Sequence, residues 1–225
     1  MVLDTTSFCE TLTTFPVVII ANGDFPSFAP AMTLLQRAQV IVCCDGAYDS
    51  FLQHQPETQA ELIVTGDGDS LSPEQLKACG HSFVHDASTE YNDLQKALKY
   101  CMKRHYDRVL LLGCEGKRED HFIANLSIMA TYGEWMDLAM LTRHGVFNIL
   151  RETATLPSFP GQQVSVFSRD KDLPLTFDGL KYPVQERCFQ HLWEGSLNEA
   201  TREAFTIVLH GKGLVVVYQT LALSN

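Results

Sequence analysis

A chain of 225 residues, 45% apolar and 20% charged, is long enough for one large domain or two small ones with a packed core. Its formal net charge of −10 argues against a nucleic-acid-binding surface and means that an anionic ligand needs cations or helix N-termini at its site. Seven cysteines without a CxxC pair suit a reducing compartment, and the apolar run Phe15 to Ala21 is too short for a signal or membrane helix, so a soluble cytoplasmic protein is expected.

The run Val17 to Ile20 is continuously apolar and β-branched, as a strand buried on both faces requires, and it ends in Asn22-Gly23-Asp24. Ala31, Leu34, Leu35 and Ala38 then share a helix face. Val40 to Cys44 reads as a second strand ending in Asp45-Gly46, and a short helix carries Ala47, Tyr48, Phe51 and Leu52. Leu62 to Val64 is a third strand, running into Gly66-Asp67-Gly68-Asp69-Ser70. Ser72-Pro73-Glu74-Gln75 has the form of a capped helix start. A fourth strand covers Ser82 to His85, and a helix carries Leu94, Ala97, Leu98, Cys101 and Met102 on one face. Val109 to Leu112, a helix over Asp120 to Tyr132, and Leu138 to Leu141 complete six alternations. The pattern is that of an α/β fold with a doubly wound, mostly parallel sheet, placed at residues 15–150.

Beyond about residue 145 the pattern changes, and Pro157 to Gly161 reads as a boundary. Short alternating stretches follow. Phe205 to Leu209 and Leu214 to Tyr218 flank His210-Gly211-Lys212-Gly213 and predict a β-hairpin. Residues 151–225 are expected to form a small all-β sandwich.

In an open parallel sheet, ligands bind at the carboxyl ends of the strands. Asp24, Asp45, the pair Asp67 and Asp69, Asp93 and Asp120 all fall in that zone. Any one of them is also explained as a turn or helix-cap residue. Two carboxylates spaced i, i+2 in a glycine turn repel unless a cation or a proton intervenes, and a hard divalent ion such as Mg²⁺ resolves the conflict. Taken as a set, the aspartates point to a metal-phosphate site. In Gly113 to His121, Lys117 and Arg118 are either polyphosphate contacts or a solvated turn, and the spacing is not that of a P-loop. His121 is either a general base or a packing residue. Trp193, Tyr182 and Phe189 either stack on a flat ring or fill the core.

Six short motifs in order resemble the thiamin pyrophosphokinase family. They are Asp45-Gly46-Ala47, Gly66 to Ser70, Asn92 to Leu98, Gly113 to His121, Gly179 to Pro183 and Gly195 to Glu199. The resemblance implies an α/β nucleotide-binding domain followed by a β-sandwich, and a homodimer with thiamin between the α/β domain of one subunit and the sandwich of the other. It implies Mg²⁺-dependent transfer of a diphosphate from ATP to the hydroxyl of thiamin, releasing AMP. Asp67, Asp69, Asp93 and Asp120 would surround metal and phosphates, with Asp67, Asp69 and Asp93 as metal ligands. Asp45, Gly46 and Arg118 would lie near the nucleotide, and Ser196 and Asn198 near thiamin. The chain departs from the family pattern at Gly68, Asn92, Lys117 and Leu197. A different Mg²⁺-dependent phosphotransferase or phosphohydrolase, or a non-catalytic nucleotide or thiamin sensor, are the alternatives at this point.

Overall fold

A computed structural model describes Leu12 and residues 14–221. The chain divides at Arg143/His144 into two compact units.

Among the described residues the first unit holds six strands: β1 (Val17–Ile20), β2 (Val40–Cys44), β3 (Glu61–Gly66), β4 (Phe83–His85), β5 (Arg108–Leu112) and β6 (Asp137–Leu141). They lie in the order β4-β3-β2-β1-β5-β6, and every pairing is parallel. The chain therefore adds strands outward from β1 to β4, then returns to the other side of β1 for β5. That reversal puts the topological switch point between β1 and β5, where open α/β sheets bind ligands. β1 and β2 are buried along their whole length, which explains why they lack polar alternation.

Five helices connect or follow the strands: α1 (Ala29–Arg37), α2 (Ala47–His54), α3 (Pro73–Cys79), α4 (Asp93–Lys103) and α5 (Glu119–Tyr132). Ser72 with Gln75 and Asn92 with Gln95 close capping boxes that start α3 and α4 at fixed points. Asn92 thus fills a capping role. The apolar stripe of α4 packs on β1, β2 and β3, burying Leu94, Ala97, Leu98 and Cys101. Asp93 is the first residue of α4, so this packing also fixes where its carboxylate begins. None of the helices among the described residues is long and apolar enough to cross a membrane.

The second unit begins with β7 (Gly145–Leu150). It continues through β8 (Ala154–Pro157), β9 (Gln163–Ser168), β10 (Pro174–Asp178), β11 (Val184–Cys188), β12 (Asn198–Glu199), β13 (Ala204–Leu209) and β14 (Val215–Thr220). β12, β9, β14 and β7 are hydrogen-bonded in that order, and β11, β10, β13 and β8 form a second sheet. Alternate residues of both sheets, among them Val164, Val166, Val215 and Val217 on one side and Leu175, Phe177, Phe205 and Ile207 on the other, share one core.

Two expectations change here. The Pro157 to Gly161 stretch is a turn inside this unit, not its start: Pro157 ends β8, and Ser158 donates its backbone N–H to Glu203 of the same unit. The predicted hairpin does not form either. β13 pairs with β10 and β8, whereas β14 pairs with β7 and β9. The His210 to Gly213 segment crosses from one sheet to the other. Each strand buries its inward face against the opposite sheet, an arrangement that the same alternation serves equally well.

Candidate active site

The loops that leave β1 and β5 are fastened together at the switch point. Gly23 donates its N–H to Gly113 O at 2.8 Å, and Asp24 donates to Glu115 O at 2.7 Å. A side chain at Gly23 has no room, since its Cβ would stand 2.1 Å from Glu115 O. Gly116 holds a left-handed φ of +110° directly against the Asp24 side chain.

Beside this clasp is a cleft of about 490 Å³ lined by Asn22, Asp93, Glu115, Lys117, Arg118 and Asp120, with Cys44 and Cys114 also in its wall. Burial pushes the Cys114 thiol up to about 12 and the Cys44 thiol well above its usual range, so neither is a nucleophile near neutral pH. Lys117 Nζ donates to Asn22 Oδ1 at 2.9 Å, which aims the ammonium across the cleft. The Asn22 amide in turn lies against Gly46, where a Cβ would meet it at 2.5 Å. Gly46 therefore serves by being small. Arg118 grips Asp120 with two hydrogen bonds of 3.0 and 2.6 Å, and this pairing holds the Asp120 carboxyl below its ordinary range. His121 also lines the cleft.

The acidic cluster lies at the ends of β2 and β3. Asp45, Asp67 and Asp69 each offer an oxygen, and the three lie within 4.8 Å of one another. Asp45 is only 1% exposed. Its Oδ2 accepts from the Gly68 N–H at 3.0 Å, while its Oδ1 is buried with no donor. Burial, opposed by the Gly68 N–H and reinforced by the charges of Asp93 and Asp67, pushes the Asp45 carboxyl up to about 6. Asp67 is held below its ordinary range by the Asp69 N–H and by Lys96. Gly68 adopts φ +82° between them, so the position that departs from the family pattern is one where a side chain is strained.

An orphaned buried oxygen in an all-oxygen donor set fits a hard cation such as Mg²⁺. The set brought together is Asp45, Asp67 and Asp69. Asp93 is instead joined to the cluster through Lys96, whose Nζ lies 3.2 Å from both Asp67 Oδ2 and Asp93 Oδ1. Lys96 belongs to the Asn92 to Leu98 motif but received no role from the sequence; that motif and its i, i+3 spacing from Asp93 on one helix were the available signal.

The raised proton affinity of Asp45 makes folding depend on pH. Without a cation the folded protein binds this proton more tightly than the unfolded chain does. The Asp45 contribution therefore favours folding below about pH 4 and is lost as pH rises to about 6. In EDTA, the stability advantage of Asp45→Asn over the parent is expected to grow between pH 4 and 6 and to level off above. Urea melts across that range check it; an advantage that shrinks with pH would contradict the burial of this charge.

In the second unit, Asn198 is buried. Its Oδ1 accepts from the Tyr182 N–H at 3.0 Å and its Nδ2 donates to Tyr182 O at 2.8 Å, so it anchors the Tyr182 segment. Ser196 Oγ donates to Trp193 O at 2.7 Å. Phe189 is core, but Trp193 is 71% exposed, its ring stacked on His191 at 5.9 Å, and Tyr182 is exposed as well. Leu197 sits in the left-handed region at φ +60° with its side chain in solvent.

Comparison with known proteins bears on this arrangement. The family profile described as "Thiamin pyrophosphokinase, catalytic domain" matches residues 31–139, and that described as "Thiamin pyrophosphokinase, substrate-binding domain" matches residues 145–218. Among solved structures, thiamin pyrophosphokinase from Candida albicans is similar with a TM-score of 0.76 at 16% identity, over 91% of this chain and 89% of that one. Thiamine pyrophosphokinase from Bacillus subtilis gives 0.74 at 18% identity, over 92% and 100% of the two chains. The yeast enzyme gives 0.72 at 13%, over 91% and 86%. A sequence search among curated proteins gives no significant match.

Proposed function

The chain belongs to the thiamin pyrophosphokinase family, and from that membership we propose how its own residues divide the work of moving a diphosphate from ATP to the hydroxyl of thiamin. The observation that carries the reading is one unit holding both a cation-bearing cleft at the switch point and, linked through Lys96, a cluster of carboxylates with an unpartnered oxygen.

The nucleotide lies in the cleft, its phosphates met by Lys117 and by Arg118, which Asp120 holds in position. Asp45, Asp67 and Asp69 hold Mg²⁺; when bound, the ion neutralises charge on the phosphates and on the departing AMP. The acceptor hydroxyl attacks the β-phosphorus, and the bond from that phosphorus to the oxygen bridging to the α-phosphate breaks. One oxygen of Asp93 is fixed by Lys96; the other orients the hydroxyl and takes its proton. In the second unit the exposed rings of Trp193, stacked on His191 on one side, and Tyr182 suit a flat cation such as the thiazolium. Ser196 supplies a hydroxyl beside Trp193, and Asn198 acts by anchoring Tyr182.

A homodimer belongs to this reading. Its support is α5, an apolar helix whose Ile123 is 68% exposed in the single chain, as a face covered by another copy would be. The compartment is read as cytoplasmic because the six cysteines among the described residues are all free thiols.

The test is AMP release from ATP and Mg²⁺ with and without thiamin, following thiamin diphosphate in the same sample. Joint appearance of both products, abolished by EDTA, supports the reading. ATP hydrolysis indifferent to thiamin indicates another acceptor, and binding without AMP indicates a sensor. A smaller expectation concerns the cleft alone. Lys117→Ala should raise the KM for ATP about tenfold with kcat little changed, the size of one charge-assisted hydrogen bond. A kcat loss with unchanged KM would remove Lys117 from nucleotide binding.

A further inference from the structure

Glu115 lines the same cleft as Lys117 and Arg118, and a carboxylate in that place repels a polyphosphate. It is nonetheless held firmly. Its backbone carbonyl accepts from the Asp24 N–H at 2.7 Å, and its Oε1 accepts from the N–H of Arg143, two residues past β6 in the same unit. Backbone and side chain are thus tied to two different loops at the carboxyl edge of the sheet. A carboxylate has acceptors only, and the second oxygen remains one, so a ligand that gains from it must bring a donor. A smaller hollow of about 200 Å³ is lined by Glu115, Gly116, Arg118, Glu119 and Phe122. It shares Glu115 and Arg118 with the cleft, so these two residues stand where the two spaces meet.

We infer that Glu115 selects the sugar of the nucleotide: its second carboxylate oxygen accepts a hydrogen bond from the 2′- or 3′-hydroxyl of the ribose. The inference rests on the reading of the cleft as the nucleotide site. Ribose is the part of a nucleotide joined directly to the phosphates. Lys117, which meets those phosphates, is two residues from Glu115, so their Cα atoms are at most about 7 Å apart. The base comes after the ribose, and the smaller hollow gives it room. A carboxylate opposite the sugar discriminates twice over. It gains a charge-assisted bond from a ribonucleotide, and it repels a nucleotide whose sugar brings no donor. Every ribonucleoside triphosphate offers the same hydroxyls, so Glu115 selects the sugar and leaves the base unread.

The experiment is calorimetric titration of the full chain with ATP and with 2′,3′-dideoxy-ATP, in Mg²⁺ and without thiamin. The parent is expected to bind the dideoxy compound about tenfold more weakly, the size of one charge-assisted hydrogen bond. Glu115→Ala should bring the two affinities within about twofold of each other by weakening ATP. Its affinity for dideoxy-ATP should hold or improve, because the repulsion is gone. Equal loss of both affinities marks Glu115 as a prop for its loop and overturns the inference. So does a parent that binds both nucleotides alike, or an alanine variant that still discriminates. Glu115→Gln keeps a carbonyl oxygen for the Arg143 N–H and removes the charge, so its discrimination should fall to about threefold. It decides alone should Glu115→Ala fail to fold, and full parental discrimination in it overturns the inference. Lys117→Ala separates the inference from the reading beneath it. If that variant weakens both nucleotides while the Glu115 variants discriminate like the parent, the cleft stands and the inference falls. If the parent binds neither nucleotide, or Lys117→Ala weakens neither, both fall.

Discussion

Asp67→Asn is expected to lower kcat/KM for diphosphate transfer about a thousandfold, roughly 4 kcal/mol of transition-state stabilisation. Asp67 is the one carboxylate that faces both Asp45 and Asp69 in the cluster and also meets Lys96. Asparagine keeps its shape and removes its charge. The ion loses a ligand, and Lys96 is left with Asp93 alone, so the acceptor-side carboxylate loses its register as well. Asp67 is partly exposed, and its removal relieves repulsion with Asp45, so folding should survive with Tm within about 4 °C of the parent. Steady-state kinetics over a Mg²⁺ titration, beside a thermal melt, separate the two effects. A variant within tenfold of the parent would remove Asp67 from the reaction.

Gly23→Ala is expected to cost about 3 kcal/mol of stability by overpacking a site that cannot give. A methyl there would stand 2.1 Å from Glu115 O and 2.4 Å from Gly113 O, both backbone atoms of the neighbouring loop. Relief requires the β1 and β5 loops to part, which breaks the two hydrogen bonds between them at about 1 kcal/mol each. Asn22 and Lys117 ride on these loops, so affinity for an ATP analogue should fall together with the urea midpoint. An unchanged midpoint would mean that the clasp is looser than its geometry.

The first unit was readable because its central strands are buried on both faces and two of its helices start at capping boxes. Runs such as Val17 to Ile20, and boxes such as Ser72 with Gln75, state their structure locally. The ring of aspartates was readable for a related reason: in a parallel sheet the functional ends all follow strands. Lys96 was not, because whether a lysine on a helix is solvated or buried between carboxylates depends on what the sheet beneath it presents. The same limit applies to Asp45, whose burial comes from Gly68 and the neighbouring loops. In the second unit, alternation over Phe205 to Leu209 and Leu214 to Tyr218 gave the strands correctly. It could not say whether they lie side by side or face each other, since both arrangements bury every second residue. The exposure of Trp193 is likewise a matter of tertiary packing.

The strand order has a consequence for how the chain is made. β1 is synthesised before every other strand of its unit, and it stands in the middle of that unit's strand order. One of its edges is met early by β2, with Val17 opposite Val40. The other waits for β5, with Val17 opposite Val109. While α1 through α4 emerge, a wholly apolar strand keeps one row of backbone groups unpaired, a template for adhesion to any other growing chain. Non-local parallel pairing of this kind slows folding. Nascent chains halted before β5 should therefore recruit chaperones most strongly, and the arrival of Leu112 should release them.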